Sequence, residues 1–151
     1  DMRRPPVHSM FSQRQEPGLS NLMVGHAAPS EVMRKSSVPG LWLLTAGRVP
    51  PNPAELLGSR RFKDFIHTLR DHFDSVILDS PPVLAASAAS ELARHVGQAV
   101  FVVRADKTSE AALRDAVNLI SACPNIRLLL NGVKFSSSGR QFGAYYGKTA
   151  A

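Results

Sequence analysis

The residue best placed to do chemistry is Asp79, which closes the run Ser75-Val76-Ile77-Leu78-Asp79. A carboxylate at the end of an apolar strand, beside a nucleotide crevice, suits a magnesium ion held directly or through water. The competing reading is an ordinary turn acid, because Ser80-Pro81-Pro82 follows at once. A second chemical feature is the pair Tyr145 and Tyr146, the only tyrosines, set in a tail rich in Ser and Gly. Such a segment can carry hydroxyls into the active site of a neighbouring subunit, or its rings can pack on the domain.

Other chemistries find little support. Gly147-Lys148-Thr149 evokes a phosphate loop, but Gly143 lies one residue too close for Gly-x4-Gly-Lys-Ser/Thr, and no strand precedes it. His8, His26, His67, His72 and His95 show no metal-ligand spacing with Cys123 or with one another. No Gly-x-Ser-x-Gly elbow is present. Cys123 is the single cysteine, so no intrachain disulfide forms, in keeping with a reducing cytoplasm. The formal charge of +6 is spread over short pairs such as Arg3-Arg4, Arg34-Lys35 and Arg60-Arg61. Without aromatic interleaving these pairs do not make a nucleic-acid surface, so no nucleic-acid partner is expected. The 151 residues suffice for one domain and a sizeable core. The opening residues lack the apolar run of a leader, and a start at Asp1 suggests a chain cut from something longer.

The elements that must position Asp79 follow from periodicity. The first forty residues are broken by Pro5, Pro6, Pro17, Gly18, Pro29, Pro39 and Gly40, and read as loops with short helical turns near His8 to Gln13 and Ser20 to Val24. Leu41 to Leu44 reads as a strand. Asn52 and Pro53 start a helix that carries Phe62, Phe65, Ile66, Leu69 and Phe73 on one stripe. Ser75 to Asp79 is a strand, Ser87 to Val96 a helix, and Ala99 to Val103 a strand. Thr108 caps a helix with the stripe Leu113, Ala116, Val117 and Ile120, and Arg127 to Asn131 forms the last strand. Uniformly apolar strands alternating with helices predict an α/β fold, a mostly parallel sheet with helices on both faces. The functional crevice of such a sheet lies beyond the carboxyl ends of its strands, at Asp79, Arg104 to Asp106 and Asn131.

Four segments in order, Asp1 to Pro5, Glu16-Pro17-Gly18-Leu19-Ser20, Ala46-Gly47 with Pro50 to Leu57, and Val76 to Pro82, resemble the cytoplasmic domain of the bacterial tyrosine kinases (BY-kinases) of capsule and exopolysaccharide systems. These are P-loop ATPases related to ParA and MinD. The likeness runs from Asp1 to about Asn131 and divides the chain into 1–135, the C-terminal part of a P-loop kinase domain, and a tyrosine-bearing tail at 136–151. By this resemblance Asp79 matches the Walker B aspartate. Asp1 matches the second aspartate of the family's Asp-x-Asp motif, holding magnesium and assisting deprotonation of tyrosine, and Arg3 that motif's arginine. Asn131 resembles the asparagine that contacts adenine, a task suited to an amide that both donates and accepts, although a turn residue before Gly132 would look the same. Tyr145 and Tyr146 match the C-terminal tyrosines that accept phosphate.

The resemblance further implies magnesium and ATP as cofactors of the parent protein. It implies a homo-oligomer, a membrane adaptor as partner, and a place at the cytoplasmic face of the bacterial plasma membrane. The sequence departs from the pattern in three ways. It contains no Gly-x4-Gly-Lys-Ser/Thr loop, lacks the first aspartate of the pair, and carries Ala88 where an acid is frequent. The chain is therefore expected to bind magnesium-ATP weakly by itself, and to be marginally stable, swapped or completed by a partner, since the strand feeding a phosphate loop lies beside the strand ending at Asp79. Two other readings remain: a non-catalytic regulatory partner of a complete kinase, and a ParA- or MinD-like positioning ATPase.

Overall fold

The computed structural model describes residues 1–133. Tyr145, Tyr146, the Gly147-Lys148-Thr149 triplet and the tail 136–151 lie outside the described residues. The elements in order are α1 (Val7–Met10), α2 (Leu19–Met23), α3 (Pro29–Val32), β1 (Met33–Lys35), β2 (Trp42–Leu44), α4 (Pro53–Leu57), α5 (Arg60–His72), a 3-10 turn (Val83–Ala85), α6 (Ser87–Ala93), β3 (Ala99–Arg104), α7 (Glu110–Leu119) and β4 (Ile126–Asn131). The fold is α/β. Strands β3 and β4 run parallel with Ala99 opposite Ile126 and Arg104 opposite Asn131, joined through α7. A crossover of that length is what parallel pairing demands.

The amphipathic stripe of α5 does the packing its spacing predicts. Phe62, Phe65 and Ile66 are buried with Met2, Leu22, Val32, Leu57 and Leu92 in the main core. A smaller core, Ala93, Ile120 and Cys123, packs under Phe101 and Ile126 of the parallel pair. The main core draws on the first forty residues far more than their proline content suggests, for Met2, Leu22, Met23 and Val32 are all buried.

The structure corrects several local expectations. Met33–Lys35, read as loop, is strand β1, antiparallel to β2 with Arg34 opposite Leu43. The single helix expected from Pro53 breaks at Gly58, and Ser59 caps α5 by accepting the Phe62 N–H at 3.2 Å. Asn52 precedes α4 but gives no side-chain cap; its amide donates to Glu55 Oε2 at 3.0 Å. The cap of α7 is Ser109, one residue past Thr108, whose hydroxyl instead accepts the Arg104 N–H. Ser75 to Leu78 has the composition of a strand yet forms no ladder, since no backbone hydrogen bond engages it among the described residues. Strand composition needs a neighbour at pairing distance before a ladder can form.

Candidate functional site

Asp79 follows the Ser75–Leu78 segment, which was expected as a strand but pairs with none among the described residues, and its side chain is about 52% exposed. The α-ammonium of Asp1, the first residue of this sequence, donates to the Asp79 carbonyl at 2.6 Å and to Asp79 Oδ2 at 3.1 Å. That pair of bonds brings the two acids together across 78 positions of sequence. Asp1 Oδ1 accepts the Arg3 N–H at 2.8 Å and the Arg4 N–H at 3.2 Å, which turns the chain sharply and holds the carboxylate in place. Met2, buried between these residues, anchors the turn in the main core. Among the described residues no side-chain cation pairs with Asp79; the charge beside its half-exposed carboxylate is the Asp1 α-ammonium, 3.1 Å from Oδ2.

Arg3 itself is exposed, adjacent to Asp1 through the backbone. Asn131 ends β4 beside Arg104, and its Oδ1 accepts the Gly132 N–H at 2.8 Å, a turn bond that leaves the amide nitrogen for other partners. No recorded contact joins Asn131 to Asp1 or Asp79. The structure thus brings Asp1 and Asp79 together, ties Arg3 to Asp1 only through its backbone N–H, and leaves Asn131 at the carboxyl end of the parallel pair.

One structural network escaped the sequence. Arg34 on β1 donates to the Arg14 carbonyl at 3.0 Å, to Thr45 Oγ1 at 2.9 Å and to the Pro17 carbonyl at 2.6 Å. Thr45, only 1% exposed, donates in turn to the Gln15 carbonyl at 2.8 Å. This network lashes the Gln13–Pro17 loop to the hairpin. Beside it Gly18 and Gly47 approach so closely that a Cβ on Gly18 would enter the Gly47 backbone, and Leu19 and Ser20 pair with the carbonyls of Thr45 and Ala46. Arg34 carried no signal as half of the pair Arg34-Lys35 in a strand of three; its importance comes from acceptors elsewhere in the sequence.

Comparison with known proteins decides the family. No family model matches the chain. Tyrosine-protein kinase YwqD of Bacillus subtilis is 32% identical over 149 residues, covering 97% of this chain and 62% of YwqD. The kinase domain of Escherichia coli tyrosine kinase ETK superposes with a TM-score of 0.85 at 32% identity, over 97% of this chain and 58% of that one. The chain belongs to the bacterial tyrosine kinases. The chimerical protein CapA2B2 agrees, with a TM-score of 0.80 at 30% identity, over 89% of this chain and 61% of that one. This bacterial tyrosine kinase chain therefore spans about three fifths of the solved domains it matches.

The carboxylate pair of this kinase chain fits a magnesium ion only in part. Among the described residues nothing hydrogen-bonds to Asp1 Oδ2 or Asp79 Oδ1, so one oxygen of each could meet an ion or its waters. Among the described residues no third His, Cys, Asp or Glu joins them. Magnesium ordinarily takes one or two carboxylates and completes its shell with water and substrate phosphates, which is the donor set this pair would offer. No described helix is long and apolar enough to cross a membrane.

Proposed function

We propose that this chain is the acid-bearing part of an ATP-dependent protein-tyrosine autokinase that regulates polysaccharide synthesis or export. The observation that carries the reading is the exposed Asp79 carboxylate, which follows the Val76–Leu78 run in the order seen in the family. Asp79 and Asp1 would hold the magnesium ion, which supplies charge neutralisation at the transferring phosphoryl group. Asp1, whose Oδ1 accepts the Arg3 and Arg4 amides, would take the proton of an incoming tyrosine hydroxyl. In this reading Arg3 would bring its guanidinium to phosphate oxygens, and Asn131 its amide to a base edge. Tyr145 and Tyr146 are the proposed acceptors, reached between neighbouring copies of a homo-oligomer at the cytoplasmic face of the membrane, alongside a membrane adaptor.

Phosphoryl transfer depends on positioning and on neutralising charge. Two carboxylates without a cradle of amides and a lysine repel an anionic nucleotide. Titration calorimetry of this chain with magnesium-ATP is therefore expected to give no micromolar binding, and joining it to a Gly-x4-Gly-Lys-Ser/Thr segment is expected to restore it. Micromolar affinity of the chain alone would overturn the proposal.

A further inference from the structure

Asp1 and Asp79 are 78 positions apart, yet the residue beside each acid packs into the same main core. Met2, directly after Asp1, is 6% exposed within it. Leu78, directly before Asp79, packs against it partly buried. The acids themselves keep nearer the surface, with side chains 14% and 52% exposed. Each carboxylate thus projects from backbone whose adjoining side chain is rooted in one apolar cluster.

Asp1 is held on two sides by different means. On its amino side, the nitrogen bonds to Asp79 fix the backbone but leave a pivot there. On its carboxyl side, Oδ1 accepts the Arg3 and Arg4 N–H groups in a local turn. That turn fixes the carboxylate relative to residues 3 and 4, not relative to Asp79. Arg3 and Arg4 are exposed, and Met2 is the only buried residue of the first four. The turn is therefore joined to the rest of the molecule through the Met2 side chain, an unbranched thioether that fills irregular gaps in a core.

We propose that Met2 is a positioning residue: seated in the main core, it sets the direction of the Asp1 carboxylate, and so the gap across which Asp1 and Asp79 share a divalent ion. The inference rests on the metal reading of that pair given above. Residues that orient a metal ligand without touching the ion change metal affinity by about 10–100-fold when they are mutated. Such residues commonly act through a hydrogen bond, whereas Met2 acts through packing.

The test titrates the full chain with Mn²⁺ alone, an ion that takes the same oxygen donors as magnesium. It reads paramagnetic broadening of the Arg3 and Ser80 amide signals, and the urea midpoint of the ion-free chain. In the parent both signals are expected to broaden together as Mn²⁺ rises. Met2→Ala is expected to need at least about tenfold more Mn²⁺ for the same broadening. Met2→Leu keeps the volume of the side chain and is expected to restore the parent response. Leu22→Ala opens the same core from α2, beside neither acid, and is expected to lower the urea midpoint while the Mn²⁺ response stays at the parent's. Where Met2→Ala does not fold, Met2→Val is read in its place, with a shift in the same direction. A parent-like Mn²⁺ response in Met2→Ala would overturn the proposal. So would a loss in Leu22→Ala as large as that in Met2→Ala, because general loosening of the core would then be the cause. Absence of broadening at both amides in the parent would overturn the metal reading itself, and the proposal with it.

Discussion

Replacing Arg34 by methionine should loosen the Gln13–Pro17 loop and lower the stability of the whole chain. The three acceptors of the guanidinium do not lose equally. The Arg14 carbonyl belongs to an exposed residue and turns to water at little cost. Thr45 Oγ1 keeps its own donation to the Gln15 carbonyl. The Pro17 carbonyl, in a half-buried position, loses the shortest bond of the three and is left without a donor. One charge-assisted bond and one orphaned acceptor overlap in what they measure, and together cost about 2–3 kcal/mol. For a chain of this size that lowers the thermal midpoint by about 5–10 °C. Urea unfolding followed by tryptophan fluorescence from Trp42, next to Leu43, the Arg34 pairing partner on β2, reads the change directly. Arg34→Lys should recover only part of the loss, because one ammonium cannot span three acceptors fixed by a planar fork. If Arg34→Met unfolds at the same urea concentration as the parent, the network is decoration and the account of the loop is wrong.

Gly47 has φ of 78°, and a Cβ there falls against Ser20 Oγ and Asn21 Oδ1, so Gly47→Ala should cost at least about 2 kcal/mol of stability; an unchanged urea midpoint would refute the close-approach argument. Ser109→Ala should cost about 1 kcal/mol because it removes the acceptor of the Ala112 N–H, whereas Thr108→Ala should cost less, and reversal of that order in thermal melts would place the cap at Thr108 after all.

Periodicity made the α/β class, the stripe of α5 and strands β3 and β4 legible, because each element meets its partner through side chains whose spacing is local. The position of Asp79 was legible for the same reason: an acid after four residues of strand composition has few places to go. Boundaries set by backbone competition were not. Gly58 and Ser59 divide a helix whose apolar stripe runs on without interruption, and Ser109 outcompetes Thr108 because Thr108 is taken by the Arg104 N–H. Strand β1 escaped because Met33-Arg34-Lys35 has neither alternation nor length; its pairing with β2 depends on a turn through Ser36 and Leu41 that only the folded chain reveals. The failure of Ser75–Leu78 to form a ladder is a further kind of limit. Its composition specifies a strand, but pairing belongs to whatever lies alongside. The cluster of Asp1 with Asp79 was reached through family resemblance, and no spacing rule links two acids 78 positions apart.

The central claim is that the Asp79 carboxylate serves phosphoryl transfer through a divalent ion. The most direct measurement places Asp79→Asn in a protein that joins this chain to a Gly-x4-Gly-Lys-Ser/Thr segment, and follows phosphotyrosine formation with magnesium-ATP alongside nucleotide affinity in the presence of a chelator. The prediction is a loss of phosphotyrosine of at least about a hundredfold, in the range of removing a principal electrostatic group, with nucleotide affinity under chelation unchanged. Phosphotyrosine formed at the parent rate by Asp79→Asn would contradict it.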